Sequence, residues 1–256
     1  MENLGSTMKN FAAIIIGDEI LSGKRQDGHF RHTIEALAER GLELKWCRII
    51  GDDPALITET LRQTYASGDI VFCFGGIGNT PDDHTRQCAA KAAGVPLLRH
   101  PEAVAEIEAR FGAEAYPHRI SMAEMPQGSQ IIPNPFNRIP GLSFNHHHFL
   151  PGFPQMAWPM LAWVLDTLYP QMRKQAPDTE AIITVHDTLE NALLELMNEF
   201  VRLYPDVRFS SLPHIGEGEE RWLELGVKGA KPRVDEAMAW LKKGVGQLGF
   251  RWTDKL

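Results

Sequence analysis

The chain has 256 residues, enough for one large domain or two modest ones, and 43% hydrophobic with 23% charged residues is the balance of an ordinary globular protein. A formal net charge of −7 argues against non-specific binding to nucleic acid or acidic membranes, but not against a phosphorylated small molecule held by local contacts. The polar start MENLGSTMKN does not read as a signal peptide, no apolar run approaches a membrane span, and Cys47, Cys73 and Cys88 lack metal-ligand spacing, so free thiols in a reducing cytoplasm are expected.

After a tail over residues 1–10, Phe11 to Ile16 reads as a short buried strand that runs into Gly17-Asp18-Glu19-Ile20-Leu21-Ser22-Gly23. Two carboxylates directly after such a strand sit at its C-terminal end, where open α/β sheets hold ligands. Phe30, Ile34, Leu37 and Ala38 keep helical spacing, and Gly41 supplies the stop. Leu42 to Ile50 alternates as a second strand, placing Leu42, Leu44 and Trp46 on one face. Gly51-Asp52-Asp53-Pro54 closes it, with Asp53 as N-cap and Pro54 as the first helical residue. That assigns one carboxylate to capping and leaves Asp52 to face a ligand.

Ile70-Val71-Phe72-Cys73-Phe74 is an uninterrupted apolar run, as expected of a strand covered on both faces. Gly75-Gly76-Ile77-Gly78-Asn79-Thr80 follows at once, then Pro81, Asp82, Asp83 and an alanine-rich helix ending near Gly94. Strand, glycine turn and helix start together set backbone N–H groups against an anion. The plainer reading is that the glycines turn the chain while Asp82 and Asp83 cap the helix and complement its dipole. The order β-α-β-α-β-α indicates a largely parallel sheet with helices on both faces. In such a sheet Asp18-Glu19, Asp52-Asp53 and Asp82-Asp83 gather along one edge, where carboxylates beside free amides suit Mg²⁺ bridging to phosphate oxygens.

Pro101 to Phe111 reads as an amphipathic helix, and from Gln127 Pro133, Pro135, Pro140 and Gly141 break regular structure. His146-His147-His148 cannot close on one ion, because successive strand residues point to opposite faces; they read as the exposed start of a strand ending at Leu150. A helix through Met156, Met160, Leu161, Val164, Leu165 and Leu168 ends at Tyr169-Pro170, and Pro170 to Asp178 reads as a linker. Beyond it, a β-α-β-β-α-β pattern over residues 178–256 predicts a ferredoxin-like α+β domain. His186 and His214 have no partner visible in the sequence, and the run from Gly216 to Glu220 reads as a solvated hairpin loop.

Five stretches carry a family resemblance over roughly residues 11–170. GGIGNTPDDHT resembles the GGxGxTxxDDxT motif of the molybdopterin-binding MoaB/Mog family, and in particular of CinA-like (competence/damage-inducible) proteins: Gly75, Gly76, Gly78, Thr80, Asp82, Asp83 and Thr85 all fall in place. GDEILSG, the GDD turn at Gly51 and the LPGFPQM turn at Leu150 to Met156 are similar to further motifs of that family, as is the loop from Asn134 to Leu142. Departures are Phe74 for a usual Thr, Asn79 for a usual Pro, Gln26-Asp27-Gly28 for other polar residues, Gln155 for an acid, and Asn137 for a glycine whose left-handed conformation Asn tolerates.

The resemblance implies a three-layer α/β/α domain with a mostly parallel sheet over residues 11–172. It implies a phosphorylated pterin (molybdopterin-like) or a nucleotide as ligand, held by Gly17, Glu19, Gly75, Gly76, Gly78, Asn79, Thr80, Asp83, Thr85, Pro151 and Gly152. Asp82 is expected to hold Mg²⁺ or another divalent cation, with Asp83 beside it, and Asp18 or Asp52 to orient or deprotonate an attacking group. Members of the superfamily adenylate molybdopterin, or are similar to metal-dependent pyrophosphatases acting on ADP-ribose or FAD; a binding or regulatory module without catalysis is the third alternative. Crowding of Trp158, Met160 and Trp163 on one helix, and the family's habit, point to a homo-oligomer, with a dimer favoured.

Overall fold

In the computed structural model the parallel strands β1 (Phe11–Ile16) and β3 (Ile70–Phe74) lie side by side and are buried at every position. The described residues are 9–174, 178–216 and 220–255, so the tail over 1–8, the middle of the expected linker (175–177) and the tip of the expected loop (217–219) lie outside them. The chain divides into two compact units, one ending at Lys174 and the other starting at Gln175.

The first unit continues through α1 (Asp18–Leu21), α2 (His29–Ala38), β2 (Leu44–Ile50), α3 (Pro54–Ser67), α4 (Thr85–Ala93), β4 (Leu97–Arg99), α5 (Pro101–Phe111), β5 (Glu124–Pro126), β6 (Gln130–Ile132), β7 (Gly141–Phe144), β8 (His147–Leu150) and α6 (Pro154–Leu168). Its main sheet has the order β2-β1-β3-β8-β7-β6; β2, β1, β3 and β8 run parallel, and β7 is antiparallel to both its neighbours. β4 and β5 form a separate antiparallel pair.

Each face of the main sheet has its own core. Ala12, Ile14, Val71 and Cys73 pack with Ile57 and Leu61 of α3, Ala89 of α4 and Ile107 of α5. Ala13, Ile15, Phe72 and Phe74 pack on the other side with Leu37 of α2 and with Met160, Leu161 and Val164 of α6. Burial on both faces is why these strands read as continuous apolar runs rather than alternating ones.

Several local expectations change. The register between β1 and β2 skips Lys45, pairing Phe11 with Leu44 and Ala12 with Trp46. That irregularity turns Trp46 to the α3 side while Leu42 and Leu44 stay on the α2 side, so the three do not share a face. Trp46 instead donates from Nε1 to Asp69 Oδ2 at 2.9 Å. His147 and His148 are 0% and 2% exposed, not an exposed strand start, because β8 lies between β3 and β7. Asn145 and His146 make the turn from β7, both at positive φ as a two-residue I′ hairpin demands. Arg138, not Asn137, takes the left-handed conformation in the Asn134 loop. Met160 is fully buried and serves the core, with Trp158 and Trp163 half-buried against it.

The second unit contains β9 (Thr179–His186), α7 (Leu194–Leu203), β10 (Arg208–Ile215), β11 (Arg221–Gly229), α8 (Lys231–Gln247) and β12 (Trp252–Lys255). Its sheet has the order β10-β11-β9-β12 with every pair antiparallel. Ile183, Val185, Leu223 and Leu225 face Phe200 of α7 and Leu241 of α8. His186 sits 3.0 Å from the Thr253 hydroxyl, and His214 stacks on Trp222 at 5.1 Å. Among the described residues no helix is long and apolar enough to cross a membrane.

Candidate functional site

Because β1, β2, β3 and β8 run parallel, the segments leaving their C-terminal ends meet along one edge of the sheet. There they line a cleft of about 410 Å³ in the first unit, a volume in the range of small-molecule sites. The walls include Gly17, Glu19, Asp52, Gly75, Gly76, Gly78, Asn79, Thr80, Asp82, Asp83, Pro151 and Gly152, all singled out in the sequence.

The glycine turn is fixed from behind. Gly75 N–H donates to Leu150 O at 3.0 Å, and Thr85, fully buried, donates its hydroxyl to Gly75 O at 3.1 Å and its N–H to Gly76 O at 3.0 Å. Gly75 and Gly76 stand at φ of 104° and 67°, a region that residues with a Cβ rarely enter. With the turn's carbonyls thus engaged, the N–H groups of Gly76, Ile77, Gly78 and Asn79 meet no acceptor among the described residues. Four successive amides without an acceptor, in residues that line a cleft, are an arrangement that suits an anion.

Thr85 therefore braces the turn and does not line the cleft. Asp18 does not line it either. Its Oδ1 accepts from Asp52 N at 3.2 Å while Asp52 Oδ2 accepts from Asp18 N at 2.8 Å, a reciprocal clasp between the β1 and β2 turns. Asp53 caps α3, accepting from Leu56 N at 2.7 Å, which leaves Asp52 at the cleft. Burial raises the Asp52 pKa above the ordinary carboxylate value; the Asp18 N–H opposes this, and Asp18, Glu19 and Asp82 add to it.

Asp82 and Asp83 do not cap α4: its N-cap is His84, with no side-chain bond to the helix amides. Both carboxylates turn back onto Thr80. The Thr80 hydroxyl oxygen is 2.5 Å from Asp82 Oδ1 and 2.6 Å from Asp83 Oδ2, and Thr80 N donates to Asp83 Oδ2 at 2.8 Å. The Thr80 hydroxyl lowers the Asp82 pKa. One hydroxyl hydrogen serves one acceptor, so one of these short contacts sets two lone pairs against each other. A hard cation among the three oxygens would relieve that, and two carboxylates with a hydroxyl are donors of the kind Mg²⁺ accepts. No group of three or more His, Cys, Asp or Glu residues suited to a metal occurs among the described residues.

Other cleft residues were not singled out as ligand-binding in the sequence, although several lie in motif-like turns. Met122, Ile139, Phe153 and Met156 build an apolar wall, and Arg25 lies over the Phe153 ring at 5.5 Å. Asn134 and Asn137 also line it: Asn134 donates to Asn137 Oδ1 at 2.8 Å and to Ile139 O at 2.9 Å. Their place in a motif-like loop was the only signal. His29 stacks on Phe74 at 4.5 Å, with Nε2 3.3 Å from Gly152 O. Phe74 thus provides the surface on which a buried imidazole reaches the Gly152 turn, a contact no periodicity could reveal.

Comparison with known proteins agrees with this architecture. Residues 12–174 match the family described as a probable molybdopterin binding domain. A CinA-like protein of Syntrophotalea carbinolica is 33% identical over 69% of this chain and 45% of its own length. The chain spans about half the length of the CinA-like relatives it matches. A protein of Caldivirga maquilingensis is 28% identical across 93% of this chain and 95% of its own. The crystal structure of the protein CinA, of unknown function, from Thermoplasma acidophilum is similar with a TM-score of 0.57 and 29% identity, covering 62% of this chain and 98% of that one.

Proposed function

The chain belongs to the family of probable molybdopterin binding domains, and from that premise we propose that its first unit binds a phosphorylated pterin or a nucleotide. The observation that carries this is the run of four free amides from Gly76 to Asn79 facing a cleft whose other wall is apolar. The phosphate rests on the amides; the planar ring lies against Phe153, Met156 and Ile139. Asp82, Asp83 and Thr80 hold a divalent cation, which supplies neutralising charge to the phosphate when bound.

Asp52 supports a second reading, hydrolysis of a dinucleotide pyrophosphate such as ADP-ribose or FAD. Its raised pKa and place at the cleft suit a base that takes a proton from water as the water oxygen bonds to phosphorus and the bridging P–O bond breaks. Asp18 orients Asp52 through their mutual clasp. The second unit, with order β10-β11-β9-β12, is assigned to the ferredoxin-like split unit.

Calorimetry with molybdopterin, AMP, ADP-ribose and FAD, with and without Mg²⁺, is the direct test, and binding by none of them removes the proposal. Turnover, if present, is abolished in Asp82→Asn with the fold kept, because Asp82 is exposed and caps nothing. Asp52→Asn lowers turnover by roughly 100-fold, within the usual contribution of a general base, and leaves affinity nearly unchanged.

We further propose that the first unit pairs with a second copy. α2 exposes Phe30 and Ile34 at 45% and 41%, next to the helix position where His32 stacks on the half-buried Trp158 at 4.1 Å. Light scattering at micromolar concentration is expected to give a dimer mass; a monomer mass alone excludes it.

A further inference from the structure

Arg86, the second residue of α4, is 3% exposed, yet no carboxylate pairs with it among the described residues. Its Nη2 donates to the Gly78 carbonyl at 2.6 Å, while Nε and Nη1 meet no acceptor. Asp83 and Glu124 act on it only through space, and burial lowers its pKa to about 10, which leaves it charged at neutral pH. A cation taken out of water and left unpaired is strongly unfavourable, and one carbonyl dipole offsets little of that. Beyond what Asp83 and Glu124 supply through space, further compensating charge can come from across the turn.

The peptide bond gives the arrangement its direction. Because the Gly78–Asn79 peptide is planar and trans, the Asn79 N–H points opposite to the Gly78 carbonyl. Fastening that carbonyl to the guanidinium turns the Asn79 N–H away from Arg86, and Asn79 N–H is one of the four amides without an acceptor. Gly78 and Asn79 both line the cleft.

We infer that Arg86 is a positioning residue of the phosphate site: it locks the Gly78–Asn79 peptide with its N–H toward the cleft and supplies the buried positive charge that selects a dianionic phosphate over a neutral polar group. The inference rests on the phosphate reading above and adds the residue that enforces it. Bound phosphate oxygens and the guanidinium then lie on opposite sides of one peptide, each compensating the other through a thin, poorly screened layer.

The test is calorimetry on the full chain with inorganic pyrophosphate, AMP and adenosine, alongside thermal melts. Arg86→Gln keeps a donor for the Gly78 carbonyl and removes the charge; Arg86→Lys keeps both. Arg86→Gln is expected to weaken AMP and pyrophosphate roughly 10- to 100-fold, the range for losing a charged partner, and to leave adenosine unchanged. Arg86→Lys restores the affinity to within about threefold of wild type, as a retained charge requires. The melting temperature of Arg86→Gln stays level or rises, since an unpaired buried charge has been removed. A purely structural arginine does the reverse, losing stability and affinity together without rescue by lysine, and that pattern overturns the inference. If wild type and Arg86→Gln bind AMP equally, Arg86 loses this role while the phosphate site stands. If wild type binds no phosphate compound, both fall.

Discussion

Lowering the pH from 6.5 to about 4 is expected to cost the first unit on the order of 5 kcal/mol of stability, and two histidines in β8 are the cause. His147 and His148 are 0% and 2% exposed, and burial pulls their pKa values down from 6.5 to about 4 and about 3. His147 contacts the Asn145 carbonyl through Nδ1 at 3.0 Å and the Thr64 hydroxyl through Nε2 at 2.8 Å. His148 contacts the Ser143 and Tyr169 hydroxyls, each at 2.8 Å. Both are thus held neutral in the fold, while in the unfolded chain each takes a proton near 6.5. The unfolded state binds more protons throughout this window, so stability is full above 6.5 and falls as the pH falls.

Each unit of depression is worth about 1.4 kcal/mol, so the pair together removes on the order of 5 kcal/mol by pH 4, comparable with the whole stability of many domains. His29, also depressed by burial, adds with the same sign. Carboxylates begin to contribute mainly below about 4.5, which makes the interval from 6 to 5 diagnostic of histidine. Denaturant unfolding followed at half-unit steps should show stability falling by about 2 to 3 kcal/mol per unit there, the slope of two protons. A flat profile between 6 and 5 rules the explanation out.

Gly75→Ala is expected to be the most damaging single-methyl change in the cleft. At φ 104° the added Cβ lies 2.2 Å from the Ile16 carbonyl oxygen, which is backbone. Ile16 ends β1, a strand held between β2 and β3, and Gly75 itself is tied to Leu150 O, so neither side can retreat. Backbone strain plus a collision in the core places the loss at about 3 kcal/mol or more, and the amide cradle is lost with it. Gly152→Ala, on the facing turn, is the control. Its Cβ meets only Gly75 Cα at 3.5 Å, an ordinary contact, so a change below about 1 kcal/mol is expected. Thermal melts of both variants decide the matter: equal midpoints would show that the turn is not constrained as described.

What the sequence determined by itself was the main run of local and periodic features. Apolar runs at Phe11–Ile16 and Ile70–Phe74, each followed by glycine and carboxylates, specify parallel strands whose turns line the cleft, because doubly covered strands need no polar face. The Gly75–Thr80 turn and the Asp53-Pro54 cap are legible for the same reason: backbone conformation and helix starts depend on a few adjacent residues.

Only the tertiary structure decided which carboxylate does what. Asp18 and Asp52 are 34 residues apart, and their clasp exists only because β1 and β2 pair in one register. Asp82 and Asp83 differ: they fit a helix cap by spacing, yet they turn back onto Thr80, only two and three residues away, so here two local arrangements compete. A one-residue register skip put Trp46 on the other face of the sheet, and strand order put His147 and His148 in the interior despite their polarity. Arg86 shows the limit most clearly. On a helix beside polar residues it reads as surface, and its burial behind Gly78 follows from how α4 packs onto the sheet. Charge, burial and partner are properties of the packed neighbourhood, and long-range packing leaves no mark on the spacing of residues along the chain.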